Sequence, residues 1–112
     1  LSEIDYLISS EEECCYLASS NDIERVALKL GSLCKKYAII HNKKGSYISD
    51  GSFVEYLSCN HEVVYGISVL GAGDIFVASF INSFSDKKDI KEIVLKSHSS
   101  TFNFLKVCNE EV

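Results

Sequence analysis

Short apolar runs rich in β-branched residues alternate along this chain with stretches of helical period, and few architectures accommodate that alternation. "IDYLIS" at 4–9 reads as a buried strand, and "SEEECCYLA" after it as a helix with Ser10 as N-cap and acids in its first turn. From Asn21 onward, Ile23, Val26, Ala27, Leu30, Leu33, Cys34 and Tyr37 recur at three- and four-residue steps, which predicts an amphipathic helix opened by an Asn21 to Glu24 capping box. "YAIIH" at 37–41 is a second strand, leading through "NKKG" into a loop closed by Gly45. "SYIS", Asp50-Gly51 and "SFVEY" predict a hairpin with a type I′ turn, and "HEVVYGI" at 61–67 one more strand. Residues 73–84, apolar nearly all round, suit a helix buried on most sides. Asp89 and Glu92 match a capping box opening a last helix, with 102–108 either extending it or forming a final strand. The alternation argues for an α/β layered unit with a largely parallel sheet and an antiparallel hairpin, 46–56, near one edge.

With 112 residues and no repeat or Pro-rich linker, the chain is expected to form one domain, 1–112. A formal charge of −5 with no basic block excludes nucleic-acid phosphate as the natural partner. Apolar stretches stop well short of the roughly 20 residues that a membrane span needs, and no signal-peptide pattern opens the chain. Cys14, Cys15, Cys34, Cys59 and Cys108 are an odd set without a C-x-x-C pair, so neither a disulfide framework nor a zinc site is expected, and a reducing cytoplasmic setting follows. The lack of methionine, even at position 1, suggests a piece of a longer protein or a trimmed start.

Chemistry concentrates in "SVLGAGDIFVASF" at 68–80. A helix start carries unpaired N–H groups and partial positive charge, and glycine lets phosphate oxygens reach that backbone. Gly71, Ala72 and Gly73 could thus form an anion hole, with Asp74 beside it to take a proton from a hydroxyl. The plainer reading is a strand-to-helix turn in which glycine relieves strain and Asp74 caps the helix. Likewise, Glu11, Glu12 and Glu13 read by themselves as a solvated acidic helix start.

"GAGDIFVASF" resembles the D-T-x-G-A-G-D-x-F signature of the ribokinase-like carbohydrate kinases, the PfkB family. "LISSEEEC" is similar to the family's N-x-x-E segment, with Ser10 at the Asn position and Glu13 at the Glu position. "AIIHNKKGS" resembles its nucleotide-contacting T-x-G-x-x-G loop, with Gly45 as the last glycine and Ile40 and Asn42 in place of the Thr and first Gly. "DIKEIVLKSHSS" falls where the family has a helix lining the adenine site, with His98 at a position that some members use for a nucleotide contact. The resemblance implies a layered α/β/α, Rossmann-like fold, of which this chain is the C-terminal nucleotide-binding portion, incomplete without an N-terminal half. It further implies an ATP-dependent phosphotransferase acting on a sugar or nucleoside. Asp74 would be the base, with Gly71, Ala72 and Gly73 stabilising the transferring group. Asn42, Gly45, Gly73 and His98 would border the nucleotide, and Glu13 would help to organise magnesium. A homodimer or assembly with the absent half is expected. Ser68 and Val69 replace an Asp and a Thr that serve a monovalent cation in the family, so potassium activation is not expected. The rival reading is a degenerate, non-catalytic nucleotide-binding or interaction module derived from that fold.

Overall fold

Strands β1 (Tyr6–Ser10), β2 (Tyr37–Asn42), β3 (Gly45–Ser49) and β4 (Val54–Ser58) hydrogen-bond in that order into one sheet. The structure, a computed structural model, describes residues 4–59 and 72–110. It divides into two compact units, Leu1–Ser58 and Cys59–Val112, which are taken in turn.

The first unit is built by its connections. Helices α1 (Glu11–Ala18) and α2 (Ile23–Ser32) fill the crossover between β1 and β2, which therefore run parallel, from Tyr6 opposite Tyr37 to Ser10 opposite His41. Short turns join β2 to β3 and β3 to β4, and both of these pairs are antiparallel. Among the described residues, parallel pairing is confined to β1 with β2, and the expected antiparallel hairpin forms the other side of the sheet. The strand at 61–67 expected from the sequence lies outside the described residues.

The caps follow hydrogen-bonding chemistry. Ser10 has extended backbone angles, and its hydroxyl accepts the Glu13 N–H, as expected of an N-cap. For α2 the cap is Asp22 rather than Asn21: its carboxylate accepts the Arg25 N–H at 3.3 Å, and a full negative charge at the helix's positive end displaces the cap by one residue. The β3–β4 connection also departs from expectation. Ser49 pairs with Val54, leaving a four-residue loop rather than a two-residue type I′ turn. A type I′ turn needs φ > 0 at both central residues, whereas Gly51 has φ +96° and Asp50 does not have positive φ. Asp50 instead accepts the Ser52 N–H at 2.9 Å, and Ser49 Oγ the Gly51 N–H at 3.1 Å.

Side chains alternate across the sheet. Ile40 packs with Cys14, Val26 and Ala27 beneath α1 and α2, and Ile23, Leu30, Tyr47 and Val54 close around them. Ile39, His41, Ser46 and Ile48 point to the opposite face and are buried as well. Burying each large aliphatic residue contributes about 1.5–3 kcal/mol, so this doubly covered centre dominates the unit's stability. Burial also raises the thiol pKa of Cys14, and more weakly placed Cys34 shifts the same way; both behave as packing residues.

In the second unit, α3 (Ala72–Ser83) and α4 (Ile90–Glu110) pack against one another. Asp89 accepts the Lys91 N–H at 3.0 Å at the start of α4, and 102–108 prolong this helix rather than forming a strand. Instead of being buried on most sides, α3 buries the stripe Phe76, Phe80 and Ser83 and leaves Ile81 exposed. Phe76 and Phe80 meet Ile93, Val94, Ser97 and His98 in the buried set.

Gly31 shows how tightly the first unit is closed. A Cβ there would lie 2.6 Å from the Ser49 carbonyl oxygen and 2.7 Å from the Gly51 nitrogen, both backbone atoms. Gly31→Ala is expected to lower unfolding stability by about 1–3 kcal/mol through overpacking, measured by urea unfolding of the full-length protein. A loss below a few tenths would show that the β3–β4 loop yields freely.

Candidate functional site

Parallel pairing brings the carboxyl ends of β1 and β2 to one edge of the sheet, the side on which α/β proteins place ligands. Ser10, Glu11, Glu13, His41 and Asn42 gather there. Ser10 Oγ accepts the Glu13 N–H at 3.2 Å and donates to Glu13 Oε1 at 2.8 Å, so the cap also orients the carboxylate. Asn42 Nδ2 donates to Glu11 Oε1 at 3.3 Å, tying the end of β2 to the first turn of α1. Its Oδ1 accepts the N–H groups of Lys44 at 2.8 Å and Gly45 at 2.9 Å, with the Tyr56 hydroxyl farther off at 3.4 Å. Gly45 has a structural reason to be glycine, because a Cβ would run into the Leu57 carbonyl of β4.

His41 is a member of this edge that the sequence presented only as an ordinary residue at a strand end. It is 8% exposed, opposite Ser10 on β1 and Ser46 on β3. Burial lowers its pKa below the usual 6.5, and the Glu13 carboxylate opposes that shift without cancelling it. The strand register could have exposed this position, since residues at the end of a parallel strand face the ligand edge. The Glu11–Asn42 bond had no sequence signal, because it joins residues 31 apart.

Among the described residues, no three His, Cys, Asp or Glu side chains are grouped so as to hold a metal ion. Glu13 therefore fits a magnesium held chiefly by phosphate and water, to which one carboxylate contributes, and does not fit an all-protein cage.

The remaining expected residues belong to the second unit. Ala72, Gly73 and Asp74 form the first turn of α3, with Asp74 exposed, while Gly71 lies outside the described residues. His98 is 7% exposed and stacks obliquely on Phe76, the ring centroids being 4.6 Å apart and the planes inclined by 53°. The imidazole thus sits within the α3–α4 interface, two residues along the helix from Asp74. The structure gathers Ser10, Glu13, Asn42 and Gly45 in one unit, and Gly73, Asp74 and His98 in the other.

The pfkB family carbohydrate kinase profile matches residues 1–100. The chain belongs to that family. As a pfkB-family chain it is similar in fold to a probable sugar kinase from Rhizobium etli CFN 42, with a TM-score of 0.78 and 17% identity over 93% of this chain and 31% of that one. Ribokinase from Thermotoga maritima gives 0.76 and 22% over 93% and 36%, and adenosine kinase from Sinorhizobium meliloti 0.74 and 16% over 96% and 36%. No curated protein sequence matches significantly. The likeness establishes the ribokinase-like α/β fold, and the chain spans about a third of the length of these solved relatives. Among the described residues, no helix of this pfkB chain is long and apolar enough to cross a membrane.

The buried imidazole gives the site a pH dependence. Its folded pKa is depressed, so the unfolded chain binds the proton more readily. Stability is complete above about pH 6.5 and is lost as pH falls through the folded value. Full-length protein should therefore lose more melting temperature between about pH 7 and pH 5 than His41→Leu does. Identical pH slopes for the two proteins would remove His41 from this account.

Proposed function

We propose that the protein to which this chain belongs is an ATP-dependent phosphotransferase that moves the γ-phosphoryl group of ATP to a hydroxyl of a sugar or nucleoside. This chain would supply the nucleotide side and the base. The observation that carries the reading is the position of Asp74: an exposed carboxylate in the first turn of a twelve-residue helix, directly after Ala72 and Gly73, within the stretch matched by the family. Similarity to a probable sugar kinase, a ribokinase and an adenosine kinase supports the substrate class.

In this reading Asp74 takes the acceptor hydroxyl's proton as that oxygen bonds to the γ-phosphorus. The bond from phosphorus to the bridging oxygen breaks, and ADP departs. Amides of Gly71, Ala72 and Gly73 oppose the charge on the transferring group, aided by the helix dipole. When bound, magnesium neutralises phosphate charge; Glu13, held by Ser10, is the carboxylate of this chain oriented to assist through water. Asn42, Gly45 and His98 are assigned to the nucleotide border, His98 acting from its packed place against Phe76. A homodimer, or the remainder of the protein, would complete the acceptor site, and a cytoplasmic setting suits the chemistry.

The degenerate, non-catalytic module is the second reading, favoured by the side chain of Asn42 having taken up the turn amides. Kinase assay of the full-length protein decides between them. Asp74→Asn should lower turnover by about 10²–10⁴-fold while leaving ATP affinity within a few-fold, as loss of a general base requires. Equal turnover in the two proteins rejects the catalytic reading.

A further inference from the structure

We infer that Asn42 is a specificity-determining residue for the phosphoryl donor: its carboxamide occupies, from inside the chain, the backbone donors that the β2–β3 turn would otherwise present to a nucleotide oxygen. The inference rests on the proposed kinase reading, and deepens it by naming what competes with the donor.

The hydrogen bonds fix the direction of the side chain. Backbone N–H groups only donate and a carboxylate only accepts, so the Asn42 oxygen must face Lys44 and Gly45, and its NH2 must face Glu11. Both lone pairs of Oδ1 are thereby used at 2.8 and 2.9 Å. Because Glu11 holds the other end at 3.3 Å, the oxygen is kept at high effective concentration beside the amides.

The turn has little freedom to offer other donors. Asn42 pairs with Gly45 across a two-residue connection, and neither Lys43 nor Lys44 has positive φ. This is not the type I′ geometry that two-residue hairpins favour, and the Asn42 side chain supplies the bonds that hold it. Gly45 is pinned beneath Leu57, so the backbone cannot swing away. An incoming phosphate or hydroxyl oxygen must displace Oδ1, and it meets the Glu11 carboxylate as it does so.

The test uses full-length protein carrying Asn42→Gly or Asn42→Ala, titrated calorimetrically with ATP and followed by thermal unfolding and by hydrogen exchange of the Lys44 and Gly45 amides. In the unsubstituted protein these amides should be protected with or without ATP. In the variants they should exchange faster when ATP is absent and regain protection when it is added, and the ATP dissociation constant should fall about ten-fold. Unchanged or weaker ATP binding by the folded variants overturns the inference. If Asn42→Gly fails to fold, Asn42→Ala decides, since it removes the carboxamide without adding backbone freedom. Absence of ATP binding in all three proteins sinks both this inference and the kinase reading. ATP binding with normal turnover by Asp74→Asn sinks the base assignment alone, leaving the competition at Asn42 to be judged on affinity.

Discussion

The parallel register of β1 with β2 is the constraint on which the first unit depends. It follows from a crossover long enough to hold two helices, and it places Ser10 directly opposite His41. From that one pairing, the first turn of α1 and the end of β2 share an edge. Glu11 and Glu13 then meet Asn42 and His41 without any of these residues being near in sequence. A one-residue slip would turn Ile40 away from Cys14 and Val26 and replace it with His41, so burial enforces the register that assembles the polar edge.

The polar edge is compatible with its burial because its groups answer one another. Ser10 both accepts from and donates to Glu13, and Asn42 uses each end of its carboxamide. No buried side-chain nitrogen or oxygen among the described residues lacks a partner. The α3–α4 unit solves a similar problem within one helix, where Ser97 Oγ donates to the Ile93 carbonyl at 2.7 Å and Thr101 Oγ1 to the Ser97 carbonyl at 2.8 Å. Small hydroxyls thus sit inside an apolar interface without leaving polar atoms unpaired.

Much of this architecture was legible because it is written in local chemistry. The Ser10 cap, the period of α2 and the β-branched run of β2 each announce themselves within a few residues. What could not be read depended on competition or distance. Asp22 displaced Asn21 as a cap because charge favours the helix end, and Asp50-Gly51 did not form its expected turn because only Gly51 took positive φ. The apolar circumference of α3 gave no indication of which stripe would be covered. In the candidate site, Asp74, Glu13, Asn42, Gly45 and His98 came from family resemblance, whereas the burial of His41 and the partner of Asn42 required the sheet register.

The seat of Gly45 beneath the Leu57 carbonyl carries an evolutionary consequence. With a hydrogen there and no room for a methyl group, the β2–β3 corner can neither be lengthened nor decorated without parting β3 from β4. The four-residue stretch between Ser49 and Val54 is anchored by Gly31 but has slack at Ser52 and Phe53, which face solvent. Descendants of this sequence would therefore diversify the first corner by exchanging side chains and the second by insertion, so that one corner keeps its length while the other records divergence.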